Sequence, residues 1–341
     1  MGSVDADSDE FTVLVTGFGP FRSEYPKNPS WEIARDLPAY LPPKSKPALG
    51  PAVAAAAAAA VRTDDSLPPV RIVVYPEPVR VNYQVVRKLV PRLWDAQQDS
   101  AGVGKAADAD LSGQQPPEEQ SLPSSSASTE APFPPGFVPP RRMDLVLHIG
   151  MAGPRLHYDL EQVAHHDGYM APDVDDELLR DTPADRNDPA WVWYGAPAAL
   201  ETHIDLEDVL ARWRHAAPNA DLRISQNAGR YLCEFTYFSS LAHLYRRNQA
   251  ADGQDPRFRR RRVAFLHVPA AAAPDRIAAG RDLVIELIRA LAASEVAARK
   301  TGQHEQPAAE VGNVAEHAAR DLATDAPEPV ASLAAGKWYN E

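Results

Sequence analysis

Cys233 is the only cysteine in the chain, and it lies where a strand-like segment gives way to a helical one. The apolar run before it ends near Gln226, and a turn follows at Asn227-Ala228-Gly229. Phe235, Phe238, Leu241 and Tyr245 then recur at helical spacing. The first turn of a helix carries unpaired N–H groups and the positive end of the helix dipole. A thiol placed there ionises more readily, and the thiolate is the nucleophilic form. Lone cysteines are commonly inert core residues, so the partners decide. His267 closes the apolar run Val263-Ala264-Phe265-Leu266-His267-Val268-Pro269, which reads as a buried strand stopped by proline. Ligands of open α/β sheets bind beyond the C-terminal ends of strands. Cys233 follows one strand and His267 ends another, so both are expected to open on one crevice. A thiol beside an imidazole is the pairing of nucleophilic catalysis, although the spacing equally suits a hydrogen-bonded core histidine.

A third group completes the set. The strand-like run Asp144 to Ile149 ends in Gly150-Met151-Ala152-Gly153, read as a turn in which backbone amides approach a ligand. Glu161 follows eight residues later. Its carboxylate can orient an imidazole as the third member of a triad does, but among 47 acidic residues its position alone says little. His165-His166-Asp167 invites a metal reading. Adjacent histidines diverge on most backbones, and no HExxH or cysteine-rich ligand set accompanies them. No metal and no cofactor are expected.

Together these segments resemble the pyroglutamyl peptidase I (pyrrolidone-carboxyl peptidase) family of cysteine peptidases. Val13-Leu14-Val15-Thr16-Gly17-Phe18-Gly19-Pro20-Phe21 is similar to the family's N-terminal strand and GFGPF loop, and Asn28-Pro29-Ser30-Trp31 to the motif that follows it. Ile224 to Phe238 resembles the cysteine block of the animal enzymes, and Phe265-Leu266-His267-Val268-Pro269 the histidine block. The resemblance implies a triad of Glu161, Cys233 and His267. It implies a substrate pocket built from Phe18 and Phe21, with Asn28 and the backbone of Met151 as further substrate contacts. Residues 162–173 lack the arginine that bacterial members carry there, so the chain is closer to the eukaryotic branch, while Gly153-Pro154-Arg155 is similar to bacterial members. The implied activity is removal of N-terminal pyroglutamate from small peptides. The other reading is a catalytically altered homologue that binds or hydrolyses another small lactam or amide.

Pyroglutamate is a small neutral lactam, so its pocket needs flat apolar walls and a few backbone hydrogen bonds. Open-chain glutamate and glutamine carry additional charge, which an apolar pocket rejects by leaving it desolvated and unpaired.

The elements that must position these groups alternate along the chain. Strands are expected at Phe11–Thr16, Val70–Tyr75, Leu145–Ile149, Leu222–Gln226 and Val263–Val268. Helices are expected near Trp31–Asp36, at Tyr83–Trp94, at Leu206–Arg214 capped by Asp205, after Cys233, and at Arg276–Ala292. The fold class is α/β, a three-layer α/β/α sandwich on a mainly parallel twisted sheet. Residues 1–10 read as a flexible N-terminus and 11–293 as a single peptidase domain. Inserts are expected at about 42–69, around the run Ala54 to Ala60, and at about 99–140, rich in Ser, Pro, Gly, Ala and acid and read as disordered. Residues 294–341 read as a low-complexity tail.

The net charge of −12 argues against a nucleic-acid or anionic-membrane partner. Arg257-Phe258-Arg259-Arg260-Arg261-Arg262 is the exception and reads as a solvated loop. No run of 18 apolar residues is present, so no membrane span is expected. Met1 to Glu10 is polar and acidic, unlike a signal peptide. One cysteine means no intrachain disulfide, in keeping with a reducing, cytoplasmic setting. The sequence carries no sign of oligomeric state.

Overall fold

The computed structural model describes residues 10–23, 25–44, 67–96, 133–153, 155–255 and 257–301. Its main sheet has six strands: β1 (Phe11–Gly17), β2 (Val70–Val74), β3 (Leu145–Ala152), β4 (Tyr158–Glu161), β7 (Leu222–Ser225) and β8 (Val263–Pro269), in the order β2-β1-β3-β8-β4-β7. Strands β5 (Val163–His165) and β6 (Ala199–Glu201) form a separate antiparallel pair. The helices are α1 (Pro29–Ala34), α2 (Tyr83–Asp95), α3 (Pro183–Arg186), α4 (Leu206–Ala216), α5 (Leu232–Ala250) and α6 (Pro274–Lys300).

The strand sequences explain the layers. All seven residues of β1 are buried, and alternate side chains serve opposite faces. Phe11, Val13 and Val15 join the core under α1, α4 and α6, with Ile33, Val209, Trp213, Val284 and Leu287. Leu14 joins the other core, under α2 and α5, with Tyr83, Val86, Val90, Leu93, Phe235 and Phe238. Helix α4 starts as expected, with Asp205 accepting from the backbone of Asp208 at 3.0 Å. Helix α6 runs on through Lys300 with Ser294 and Glu295 buried, so it absorbs the start of the expected tail.

Strands β2, β1, β3 and β8 are parallel, whereas β4 runs antiparallel to β8 and β7 runs parallel to β4. This corrects the expected crevice. The C-terminal ends of β7 and β8 point to opposite edges of the sheet, so strand ends alone do not bring Cys233 to His267. Residues 226–231 carry the chain back from the β7 edge to the start of α5.

The arginine run is not a solvated loop. Arg261 donates from Nε to the Glu201 carbonyl at 2.9 Å, and its backbone N–H donates to His203 Nδ1 at 3.2 Å. Arg260 donates to the His203 carbonyl. Arg257 pairs with Asp255 at 2.6 Å and lies over the buried Phe258 ring, 5.2 Å from its centroid. The segment between β6 and α4 presents carbonyls that need donors, and the arginines supply them. Most of the two expected inserts, residues 45–66 and 97–132, lies outside the described residues. Residues 133–140 lie on the core, with Phe137 edge-on to Tyr75 at 5.4 Å and Phe133 edge-on to Phe137 at 5.7 Å. Among the described residues, no helix is long and apolar enough to cross a membrane.

Candidate active site

The loop after β1 is held by a short clip. The Phe18 backbone donates to Ser30 Oγ at 3.0 Å, Ser30 Oγ donates to Asn28 Oδ1 at 2.8 Å, and Asn28 Nδ2 donates to the Gly19 carbonyl at 2.9 Å. Asn28 also accepts from the Ser30 backbone as the N-cap of α1, with Pro29 at the first helical position. Gly17 lets this helix approach: a Cβ there would meet the Ser30 carbonyl oxygen at 2.7 Å and Trp31 Cα at 2.8 Å.

Strand β4 is short and places two carboxylates, Asp159 and Glu161, in a buried position on one face. Asp159 lies opposite His267 of β8. His267 Nδ1 bonds to Glu161 Oε1 at 2.7 Å, which leaves Nε2 for the thiol. Gly150 is the β3 neighbour of His267. It is part of the strand, not of a turn, and the space of its missing side chain is filled by Cys233. A Cβ at Gly150 would lie 2.7 Å from Cys233 Sγ and 2.8 Å from Phe265 Cζ. The cysteine thus sits over the sheet where β3 and β8 adjoin.

Two buried histidines on neighbouring strands show what this setting does. His148 bonds only to hydroxyls, Thr16 Oγ1 and Ser240 Oγ, both at 2.7 Å, and burial pushes it down to about 3. Burial acts on His267 in the same direction. Against it work the charge and hydrogen bond of Cys233, then the hydrogen bond and charge of Glu161, and they raise His267 to about 10. Burial likewise pushes the Glu161 carboxyl up. The His267 bond and charge, the Ser225 hydroxyl and the Arg155 charge outweigh it and hold Glu161 below the usual range. His148 is therefore neutral core, whereas His267 holds a proton at neutral pH beside sulfur.

Helix α5 begins at Leu232 after an extended Tyr231, and no side chain caps this end. The first-turn N–H groups, that of Cys233 among them, have no intrahelical acceptor. Glu234, buried in the same turn, is held by Arg230 Nη1 at 2.6 and 2.8 Å and by His165 Nδ1 at 2.9 Å. His165 is thereby engaged as a structural partner, and its neighbour His166 lies edge-on to Phe238 at 5.8 Å.

The family model of pyroglutamyl peptidase matches residues 136–301, a span that contains all three of these positions. The rat pyroglutamyl-peptidase 1 is 28% identical over 262 residues, covering 77% of this chain and 80% of the rat protein. The human pyroglutamyl-peptidase 1 is 27% identical over the same length. Over residues 136–301 the chain matches the pyroglutamyl peptidase family. Pyrrolidone-carboxylate peptidase of Deinococcus radiodurans is 33% identical over 129 residues, 38% of this chain and 50% of that protein. Among solved structures, pyroglutamyl peptidase I of Bacillus amyloliquefaciens is 18% identical, with a TM-score of 0.47 over 84% of this chain and 98% of that one.

The residues expected at the substrate pocket are not equivalent. Phe18 is 2% exposed and packs in the core with Val79 and Tyr83. Phe21 is partly buried and stacks on Tyr25, with ring centroids 6.1 Å apart, and lies tilted against Tyr231 at 6.3 Å. Met151 is buried near the end of β3, level with Val268. Asn28 anchors the loop through its carbonyl. Sequence reading missed Tyr25 and Tyr231, which form an aromatic wall from the β1 loop to the helix carrying Cys233. It also missed Arg155 as a neighbour of Glu161. The tyrosines adjoin motifs already recognised, which was the available signal. Arg155 lies in the segment already noted as similar to bacterial members, but its partners are set by the strand direction of β4.

Proposed function

We propose that Cys233, His267 and Glu161 remove N-terminal pyroglutamate from peptides by nucleophilic catalysis. The observation that carries this reading is the buried His267, held at Nδ1 by Glu161 and raised by the charge of a cysteine seated over Gly150, in a chain that matches the pyroglutamyl peptidase family over residues 136–301. Cys233 Sγ attacks the carbonyl carbon that follows the lactam ring. The proton that His267 holds beside the sulfur is the one it gives to the departing amine as the C–N bond breaks. Water then adds to the thioester, with His267 taking its proton and the cysteine leaving as the product acid forms. Glu161 keeps the imidazole in the tautomer whose Nε2 faces the sulfur. The Cys233 backbone N–H at the uncapped start of α5 stabilises the oxyanion. The aromatic wall of Phe21, Tyr25 and Tyr231 and the buried Phe18 supply the apolar surroundings of the lactam.

The purified protein is expected to release coumarin from pyroglutamyl-aminomethylcoumarin and not from the glutaminyl or glutamyl analogues. Iodoacetamide is expected to stop the reaction. Cleavage of all three substrates alike, or of another lactam amide in preference to pyroglutamyl, overturns the specificity assigned here.

The pocket makes a further prediction. Phe21→Ala is expected to lower kcat/KM for the pyroglutamyl substrate at least about tenfold, or roughly 1.4 kcal/mol, with melting temperature and Cys233 alkylation little changed. Phe18→Ala opens a core cavity as well and is expected to cost about 3–5 kcal/mol of stability. Thermal unfolding beside steady-state kinetics separates the two. A Phe21→Ala protein with unchanged kcat/KM places the lactam elsewhere.

A further inference from the structure

We propose that Arg155 is a positioning residue for this reaction: its guanidinium is the counter-cation shared by the buried carboxyl groups of Asp159 and Glu161. The proposal rests on the Glu161–His267–Cys233 reading above. Asp159 and Glu161 are two residues apart on one strand, face the same side and are both buried. Two carboxylates in that relation repel each other, and without a cation one of them binds a proton. Arg155 Nη1 donates to Asp159 Oδ2 at 2.7 Å and to Glu161 Oε1 at 3.1 Å. Its Nη2 donates to the Asn227 carbonyl at 3.0 Å. One planar fork therefore joins both carboxylates to the segment that leads into the Cys233 helix, which the point charge of a lysine cannot do in full. The same Glu161 oxygen accepts from His267, so the charge that Arg155 maintains is the one that holds the imidazole.

The other groups around this pair come from every neighbouring element. His157 Nε2 lies 3.1 Å from Asp159 Oδ2. From the β7 side come the Ser225 hydroxyl, the Asn227 carbonyl and Arg223, which pairs with Asp221 at 2.7 Å and also acts on Asp159 by charge, and from β8 comes His267. From α5 come Cys233 and Tyr237, whose hydroxyl donates to the Glu161 carbonyl at 2.9 Å. Among these Arg155 is the cation that bonds to both carboxylates. It is also partly exposed to solvent. The Arg155 charge adds to the His267 bond and charge and the Ser225 bond, which together outweigh burial and hold the Glu161 carboxyl down.

The test is the acid limb of two pH profiles, kcat/KM for pyroglutamyl-aminomethylcoumarin and the rate of Cys233 alkylation by iodoacetamide. Arg155→Gln is expected to move both acid limbs up by about one pH unit, because Glu161 then takes up its proton at higher pH. Arg155→Lys is expected to keep the limb near its wild-type position while lowering kcat. The double variant Arg155→Gln/Asp159→Asn removes the like charge together with the cation and is expected to return the limb to the wild-type position. It also serves if Arg155→Gln alone does not fold. An unmoved limb in Arg155→Gln overturns the proposal, as does an equal loss of rate at every pH in the Gln and Lys variants, or a double variant with a limb still displaced. If pyroglutamyl hydrolysis is absent but the alkylation limb moves as described, the role of Arg155 stands and the substrate assignment fails.

Discussion

Cys233→Ala and His267→Ala each lower pyroglutamyl turnover by more than about 10⁴-fold, to a common residual rate, because nucleophile and base act as one unit. Glu161→Gln is milder, by one to two powers of ten on the same scale, since Glu161 orients the imidazole and need not transfer a proton. Its effect is on the tautomer: a glutamine can offer N–H to Nδ1, and a ring held that way presents N–H where the base must accept. A Glu161→Gln enzyme more impaired than Cys233→Ala contradicts the assignment. A spectroscopic check accompanies the kinetics. Burial works to lower His267, and the strongest opposing influence is Cys233, followed by Glu161, which together raise it to about 10. In Cys233→Ala that influence is gone, so the His267 ring, followed by NMR, is expected to lose its proton well below pH 10. A ring that still titrates near 10 in this variant shows that the sulfur is not its partner. The buried His148, pushed down to about 3, supplies the internal control and stays neutral throughout.

Gly150→Ala is expected to lower kcat by about a hundredfold without removing any catalytic group. The new Cβ falls 2.7 Å from Cys233 Sγ and 2.8 Å from Phe265 Cζ, both closer than real contacts allow. The Phe265 ring is buried on all sides and cannot yield, so the thiol rotates away from His267. A displacement of about 1 Å at reacting atoms costs rates of this order. Crowding the core adds roughly 1–3 kcal/mol of destabilisation, visible in the melting temperature. The decisive measurement is the pair of kcat and alkylation rate at neutral pH, which are expected to fall together because a thiol turned from its imidazole loses both. A Gly150→Ala enzyme with full turnover removes this seat for the nucleophile.

Much of this protein is legible in its residues. Tyr83, Val86, Val90 and Leu93 recur at helical spacing and are buried on one side of α2. Asp205 caps α4, and the apolar runs of β1, β3 and β8 form the middle of the sheet. These succeed because local periodicity and capping chemistry are written in neighbouring positions. The identities of Cys233 and His267 were equally readable, because few other residue types perform that chemistry. Strand β4 was not. Its four residues include two acids, a pattern that argues for exposure. They are buried only because Arg155, His157 and His267 converge on them from other segments. The arginine run misled for the same reason, since its carbonyl partners lie about sixty residues away in the chain. Sequence alone determined which groups can react and which helices and strands carry them. The reversed direction of β4 and β7, the seat of Cys233 over Gly150 and the shared cation of two buried carboxylates were decided by tertiary structure. Each depends on distances between segments far apart in the chain, and such distances leave no periodic trace in it.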